Sequence, residues 1–431
     1  MIRLIYNLLF PFAVLVFLPG FVVKMLRRGN YRDKFGQRFG FYDDETRRAL
    51  SAAHNTWVHA VSVGEVMIAL KLVASMKESE PALRVALTTT TTTGFALARR
   101  KAPDWIEVIY TPLDFWPIMR RAFTLIRPDR VILVEAEVWP NLSAIAHRRE
   151  IPLALVNARL SPRSERRFRK FNLLVRANFQ KLGLVCVQEP EDVARWESLG
   201  VSRARIHPVG SIKFDPENVQ PHPAQPRSVL QTLGIDPARP IFLGGSTHPG
   251  EEELLAGVFQ QLRREFPNLF LIIAPRHVER SRAIANRLRD LGLALICRSD
   301  VDAAPAAHNC LLLDTTGELR DWYSVATLVF IGKSLTARGG QNPVEAIVAD
   351  RPVVFGPHME NFARLAHSLV AAGGALQPND EAGLTITAAG LLRDSDARVR
   401  LVRNARAVLD RHRGATTRTV GLLKNLRASV A

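Results

Sequence analysis

Short apolar runs alternate with helical patterns along most of the chain, in one series before residue 216 and a second after residue 227. The runs are nearly continuous in hydrophobic residues, which is typical of parallel strands buried on both faces by helices. The pattern therefore predicts an α/β fold with two doubly wound, Rossmann-like domains. In order, the runs are WVHAVS, RVALTTT, RVILVEA, PLALVNA and GLVCVQ, then PIFLGG, LFLIIAP, LALIC, CLLLD, TLVFIG and PVVFG.

A proline-rich stretch separates the two series. Its sequence, PENVQPHPAQPR, has four prolines and no apolar periodicity, which indicates a linker. The last helix of the chain is expected either in the second domain or packed back on the first. Two such domains face each other across a cleft at the carboxyl ends of their strands, where ligands bind. We predict an N-terminal segment over residues 1–30, a first Rossmann-like domain over 31–215, a linker over 216–227 and a second Rossmann-like domain over 228–431.

The N-terminal segment is strongly apolar. Leu4 to Val23 is a stretch of 20 residues without charge, and about 20 such residues cross a bilayer. Six basic residues follow it by Arg38 against one acid, so the positive-inside rule keeps the later chain in the cytoplasm. No small-residue cleavage site follows, which disfavours a signal peptide. We expect a membrane anchor, and Asn7, Pro11 and Pro19 leave open an interfacial helix instead of a spanning one.

The charge balance indicates an anionic partner. Lys and Arg exceed Asp and Glu by 58 to 41, for a net charge of +17. A second basic run, Ser161 to Lys170, is either a solvated helix face or a surface for anionic lipid. Because it has few stacking aromatics and no nucleic-acid-binding module is present, we predict no nucleic-acid partner.

Several cofactor classes are disfavoured. The three cysteines are scattered without CxxC spacing, which excludes a zinc site and a disulfide framework. No GxGxxG follows the first strand and no GxxxxGK[ST] occurs, so a dinucleotide dehydrogenase and a P-loop enzyme are unsupported. Two Asp-x-Asp pairs, Asp300 with Asp302 and Asp394 with Asp396, are the remaining candidates for a metal. We predict no cofactor and no metal.

Polar residues cluster at predicted strand ends. Glu65, in HAVSVGEVMIALKL, lies where a strand turns into a helix. It is either a helix-start residue that suits the helix dipole or a functional acid. Glu135 and Glu137 end another strand and share one face if that strand continues. Lys213 and Arg276 follow two further strands, and each is either a surface-turn residue or part of an anion site.

The segment RGGQNPVEA is the clearest helix start. Gly339 and Gly340 form a loop, Asn342 is predicted as the N-cap, and Pro343 fits the first helical position. One interpretation is purely structural. In the other, exposed N–H groups bind a phosphate and Glu345 holds ribose hydroxyls.

Eight ordered segments resemble the bacterial 3-deoxy-D-manno-octulosonic acid (Kdo) transferases of lipopolysaccharide synthesis. The resemblance extends from about Arg32 to the C-terminal helix. It implies a GT-B fold, an acceptor domain over residues 31–215 and a CMP-Kdo-binding domain over 228–431. It also implies a lipid A precursor as acceptor, inversion at the sugar, no metal, and a place at the cytoplasmic face of the inner membrane. The segments are WVHAVSVGE, VEAEVWPNL, NARLS, GSIKFD, STHPGEE, PRHVER, DTTGEL and GGQNPVEA.

The resemblance also implies roles for single residues. Glu65 matches the family's general base, and Glu135 and Lys213 match its two transition-state stabilisers. One position departs from the family, because Lys333 stands where a glycine is usual, which leaves the loop shape and acceptor choice open. The residues that match the CMP-binding positions are Pro275, Arg276, Thr316, Gly317, Glu318, Asn342, Pro343, Val344 and Glu345.

Two other functions stay open at this point. The first is another GT-B enzyme, such as a UDP-sugar transferase or a sugar-nucleotide epimerase. The second is a non-catalytic protein that binds a membrane surface through its basic patches. The second predicts no affinity for a nucleotide.

Overall fold

The computed structural model describes residues 2–28, 34–160, 162–216, 222–303 and 307–426. The chain divides into two compact units. The first comprises Met1–Asp215 with Gly414–Ala431, and the second is Pro216–Arg413.

The first unit is built on a parallel sheet of seven strands in the order β3-β2-β1-β4-β5-β6-β7. The strand order reverses between β1 and β4, and a crevice forms at the carboxyl ends of the strands on either side of such a switch. The strands are β1 (Asn55–His59), β2 (Val85–Thr89), β3 (Ile106–Tyr110), β4 (Pro128–Val134), β5 (Leu153–Ala158), β6 (Leu184–Val187) and β7 (Ile206–Pro208).

Helices cover both faces of this sheet. Successive strand residues point to opposite faces, so that Trp57 packs with Phe123 on one side and Val58 packs with Leu72 on the other. All four side chains are fully buried. The helices are α1 (Ile2–Arg28), α2 (Asp44–Ser51), α3 (Val63–Ser79), α4 (Thr92–Lys101), α5 (Trp116–Ile126), α6 (Pro140–Arg148), α7 (Pro162–Lys170), α8 (Asn172–Phe179) and α9 (Asp192–Ser198).

The second unit has a parallel sheet of six strands in the order β10-β11-β9-β8-β12-β13. Its order reverses between β8 and β12. The strands are β8 (Ile241–Thr247), β9 (Phe270–Pro275), β10 (Leu295–Cys297), β11 (Cys310–Leu312), β12 (Leu328–Ile331) and β13 (Val353–Phe355). The helices are α10 (Ala224–Thr232), α11 (Glu251–Leu262), α12 (Ser281–Asp290), α13 (Leu319–Tyr323), α14 (Val344–Val348), α15 (Ala363–Ala371), α16 (Glu381–Arg393) and α17 (Ser395–Asp410).

The predicted linker is shorter in the structure than in the sequence pattern. Helix α10 begins at Ala224, inside the stretch 216–227, and Pro226 lies in its first turn. A proline is tolerated there because the first N–H groups of a helix have no partner within the helix.

The last helix, α18 (Ala415–Lys424), belongs to the first unit. Its Val420 and Leu423 are buried in the same core as Val58 and Leu72. The predicted range 228–431 for the second domain therefore ends too late, and the alternative of packing back on the first domain describes this helix.

Helix α1 contacts the rest of the first unit through a polar residue. The side-chain amide of Asn7 donates to Asn141 Oδ1 at 3.0 Å, and its oxygen accepts from the backbone N–H of Trp116 at 3.0 Å. Phe10 stacks on Phe115 with ring centroids 5.3 Å apart. In the described part of the chain, no helix has both the length and the apolar character needed to cross a membrane. The expectation of a spanning anchor is therefore not supported.

Candidate active site

Glu65 lies in the first turn of α3, where β1 gives way to that helix. Ser62 is the N-cap, and its hydroxyl accepts from the Glu65 N–H at 3.4 Å. In return, the Glu65 carboxylate accepts from the Val61 N–H and the Ser62 hydroxyl, each at 2.9 Å. This reciprocal arrangement is a variant of the capping box that the spacing Ser-x-x-Glu favours, with the carboxylate bonded to the N–H of the residue before the cap. The structural role considered from the sequence is therefore present.

The environment of Glu65 is unusual for a helix cap. The side chain is buried, and burial raises the pKa of its carboxyl to about 7, with the charges of Glu135 and Glu137 adding to the increase. The hydrogen bonds from Val61 and Ser62 oppose that shift without cancelling it. A carboxyl group with a pKa near neutrality can accept a proton at the pH of a cell.

Glu135 takes an unusual backbone conformation. Strand β4 ends at Val134, and Glu135 has φ 66°, in the left-handed region that non-glycine residues rarely adopt. The strand therefore does not continue through Glu135 and Glu137, and the predicted alignment on one strand face is wrong. Both carboxylates still act on Glu65, because both raise its pKa. Strained residues of this kind concentrate at functional sites.

Lys213 is placed by the turn that follows β7. Asn157, at the end of β5, accepts from the Ile212 N–H at 3.0 Å and from the Ser211 hydroxyl at 3.3 Å. Lys71 donates to the carbonyl of Asp215 at 2.8 Å. These bonds fix the backbone on both sides of Lys213. Burial lowers the pKa of the Lys213 ammonium, Arg159 lowers it further, and Glu135 raises it.

Arg159 completes this group. It follows β5 directly and donates from Nε to a Glu135 carboxylate oxygen at 3.0 Å. The three predicted residues Glu65, Glu135 and Lys213 thus share one electrostatic environment at the carboxyl edge of the first sheet, after β1, β4 and β7. The sequence analysis quoted NARLS without giving Arg159 or Asn157 a role. The strand-end argument used for Glu135 would have found both.

A second group of predicted residues lies at the carboxyl ends of β9, β8 and β12 in the second unit. Pro275 is the last residue of β9, and Arg276 follows it with an exposed side chain. His248, after β8, has its ring 5.8 Å from that of His277 and its Nε2 3.0 Å from the amide of Gln341. Burial lowers the pKa of His248 to about 4, and the charges of Lys333, Arg280 and Arg276 lower it as well.

Glu251 shapes the loop after β12. Its buried carboxylate accepts from the N–H groups of Lys333 at 2.7 Å, Ser334 at 3.0 Å and Leu335 at 3.2 Å. It also accepts from the His248 N–H at 2.9 Å. Glu251 therefore ties the ends of β8 and β12 together. The sequence analysis quoted it within STHPGEE and gave it no role.

Thr316, Gly317 and Glu318 lie between β11 and α13. Gly317 has φ 93°, which only glycine adopts readily, and Thr316 is exposed beside it. Glu318 accepts from Arg298 at 3.2 Å and from the indole N–H of Trp322 at 3.2 Å. This loop follows the strand next to β9, so it lies at the same edge of the sheet as Arg276.

Asn342, Pro343, Val344 and Glu345 form the start of α14. Asn342 Oδ1 accepts from the Val344 N–H at 3.1 Å, which satisfies one free donor of the helix. The cap position itself is taken by Pro343, and the helix is only five residues long. The predicted cap is therefore displaced by one residue, because the amide reaches across proline to the next N–H.

The described residues contain no group of three or more His, Cys, Asp or Glu side chains that could hold a metal ion.

The two parallel sheets define a class of protein, those with a GT-B-like α/β fold of two domains. The UDP-GlcNAc 2-epimerase from Neisseria meningitidis bound to UDP-GlcNAc superimposes with a TM-score of 0.54, covering 86% of this chain and 100% of that one at 12% identity. HepE from Anabaena in complex with UDP and glucose gives 0.52, with 87% and 100% coverage at 14% identity. These likenesses show the fold.

Sequence comparison narrows the class. Residues 33–216 match the family model described as 3-deoxy-D-manno-octulosonic-acid transferase. The 3-deoxy-D-manno-octulosonic acid transferase of Haemophilus influenzae is 32% identical over 395 residues, which is 91% of each chain. That of Bordetella pertussis is 35% identical over 378 residues, which is 86% of each. The chain belongs to the Kdo transferase family and is a glycosyltransferase, as the resemblance of its motifs predicted.

Proposed function

We propose that this protein transfers Kdo from CMP-Kdo to a hydroxyl of a lipid A precursor, with inversion at the anomeric carbon and without a metal ion. The observation that carries the proposal is the buried Glu65 carboxylate at the switch point of the first sheet. Its pKa of about 7 suits a base that is ionised at neutral pH and still accepts a proton in the reaction.

In the proposed step, the acceptor oxygen attacks the anomeric carbon of Kdo while its proton passes to Glu65. The bond from that carbon to the phosphate oxygen breaks, and CMP leaves with the electron pair. Lys213 supplies a cation for the negative charge of the transferred sugar acid. The Glu135 carboxylate accepts from Arg159 Nε at 3.0 Å. This ion pair supports a role for Glu135 in organising the charges of the transition state.

The second unit is proposed to bind CMP-Kdo. Arg276 offers an exposed guanidinium for the phosphate. Asn342 to Glu345 lie on the loop and helix after β12, and Glu345 is proposed to hold ribose hydroxyls. Thr316 to Glu318 complete the proposed nucleotide contacts. All of these groups follow strands of one parallel sheet at its carboxyl edge, which supports a common ligand.

The acceptor is proposed to bind the first unit beside Glu65. Val63 and Met67, in the first turns of α3, are 42% and 43% exposed, and Trp139 is 38% exposed after β4. Large exposed side chains of this kind near a base suit an acylated acceptor.

We also propose that the first unit lies on the inner membrane with α1 in the interface. The α1 residues Leu4, Leu8, Phe12 and Val16 are each at least 64% exposed, and their spacing of four residues places them along one side of the helix. A groove of about 610 Å³ is lined in part by Trp116, whose backbone N–H donates to Asn7 of α1. Its lining includes three arginines, Arg47, Arg120 and Arg121, which suit anionic headgroups.

The test is a transfer assay with purified protein, CMP-Kdo and a purified lipid A precursor, followed by mass spectrometry. The expected product is heavier than the acceptor by one or more Kdo residues, with EDTA present throughout. An acceptor of unchanged mass would contradict the proposed transfer. A product formed only after magnesium is added would contradict metal independence alone. CMP should also raise the melting temperature, which a protein that only binds membranes does not predict.

A further inference from the structure

Lys333 has a backbone conformation that favours glycine. It lies two residues after β12 with φ 58°. Its carbonyl accepts from the Gly340 N–H at 2.9 Å, and its N–H donates to Glu251 at 2.7 Å. The backbone is thus held on both sides, and a lysine here costs conformational energy that a glycine would not. The side chain is therefore expected to have a role that compensates for this conformational cost.

The side chain of Lys333 turns toward Gly339. A Cβ built on Gly339 would lie 3.4 Å from Lys333 Cε and 3.5 Å from its Nζ, so the ammonium rests against that part of the loop. Lys333 is half-buried. Across the ranges that the structure describes, no carboxylate lies within ion-pair distance of this ammonium.

Lys333 has charged neighbours of both signs. Its N–H donates to the Glu251 carboxylate, and its charge acts on His248 together with those of Arg280 and Arg276. Of these, Arg280 is paired with the buried Glu252 at 3.1 Å. The Glu251 carboxylate at this edge is bonded to backbone N–H groups. In the described residues the side chains of Lys333 and Arg276 have no ion pair, and two such cations at one edge of a sheet attract an anionic ligand.

We propose that Lys333 is an anion-binding residue of the donor site, whose ammonium holds an oxyanion of the sugar nucleotide. This inference rests on the proposed function. The oxyanion is either the phosphate of the nucleotide or the carboxylate of the sugar acid, which share the chemistry that an ammonium recognises.

The test compares three variants with the wild type. Lys333→Gly removes the ammonium and suits φ 58°, so its melting temperature should equal or exceed that of the wild type. Lys333→Gln keeps the strained backbone and removes only the charge, and Lys333→Arg keeps the charge. Lys34→Gly is the matched control, because Lys34 also has a left-handed backbone, at φ 52°, and lies in the first unit.

Two measurements identify the anion: CMP affinity by titration calorimetry and the KM for CMP-Kdo. If Lys333 holds the phosphate, Lys333→Gly and Lys333→Gln weaken CMP binding about tenfold or more. If it holds the carboxylate, CMP affinity is unchanged and KM for CMP-Kdo rises about tenfold with kcat nearly constant. Lys333→Arg and Lys34→Gly should stay within about threefold of the wild type in both.

Other results overturn the inference. Unchanged CMP affinity and unchanged KM in Lys333→Gly would leave the ammonium without a ligand. An equal loss in Lys333→Arg would assign the effect to the loop and not to the charge. A wild-type protein that binds no CMP and turns over no CMP-Kdo would overturn the proposed function, and this inference with it.

Discussion

Glu65 serves as a helix cap and is proposed as a base, and one substitution separates the two roles. Glutamine keeps the shape, and its one oxygen can still accept from the Val61 N–H while its NH2 group donates to the Ser62 hydroxyl. It cannot take a proton. We therefore expect Glu65→Gln to lose roughly 10²–10⁴-fold in turnover, with CMP affinity unchanged. Glu107→Gln is the control, because Glu107 is another glutamate of the first unit whose pKa burial raises. Wild-type turnover with up to about 1 kcal/mol lost in stability would leave Glu65 a helix-start residue only.

The raised pKa of Glu65 also predicts a pH dependence. Between its ordinary value of 4.5 and the folded value of about 7, the folded protein binds more protons than the unfolded chain. Stability contributed at this site is therefore lost as the pH rises through that window. The melting temperature of the wild type relative to Glu65→Gln should fall between about pH 5 and about pH 8. The kcat/KM should rise through about pH 7, because the base must be ionised. A pH-independent melting difference and a flat rate profile would argue against the raised pKa.

Arg276 and Glu345 are proposed to contact the donor and not the reacting hydroxyl. Arg276→Ala and Glu345→Gln should each weaken CMP binding by about 1.5–3 kcal/mol, the value of a charge-assisted hydrogen bond. Titration calorimetry measures this directly. Arg282→Ala, at an exposed position of α12, is a suitable control. Wild-type affinity in both site variants would remove these residues from the proposed CMP site.

At the scale of single residues, the sequence predicted which polar residues follow the strands, since an apolar run that ends in an acidic or basic residue can be recognised from the sequence alone. It did not predict the backbone of Glu135, because a left-handed residue has no local sequence signal unless it is glycine. Nor did it predict that Arg159 pairs with Glu135, since that contact joins the ends of two different strands.

At the scale of single elements, α1 presents a row of apolar side chains to solvent, while Asn7 and Phe10 contact the rest of the first unit. We expect the double substitution Leu8→Asp with Phe12→Asp to abolish co-sedimentation with vesicles that contain anionic phospholipid. The fold should be retained, because both side chains are more than half exposed. Ile386→Asp is the control, since Ile386 is 74% exposed on the second unit. Equal vesicle binding by the double variant and the control would rule out α1 as the membrane contact.

Of the thirteen strands that the structure describes, the sequence analysis found eleven as apolar runs and missed β3 and β7, and it predicted the ends of elements less well. The sequence predicted a linker over residues 216–227 because that stretch is rich in proline and has no apolar periodicity. In the structure, Pro226 lies in the first turn of α10. The sequence also placed the cap of α14 one residue early. Both differences arise because proline starts a helix as readily as it interrupts one.

At the scale of the whole molecule, the sequence predicted two α/β domains but not which of them contains the last helix, α18. Helix α18 carries no signal for its partner. Its Val420 and Leu423 are buried against residues contributed by α3 and β6, more than 200 positions earlier. Pairing at such distance depends on packing, which a local pattern does not encode.

One carboxylate, that of Asp215, binds the segment in which the chain returns to the first unit. Asp215 accepts from the Gly414 N–H at 2.9 Å and the Thr416 N–H at 2.8 Å. The first unit therefore has its two ends in sequence separated by the whole of the second. During translation, the second unit can emerge and fold as a continuous stretch. The first unit, although most of it is made first, completes its core only after α18 has left the ribosome.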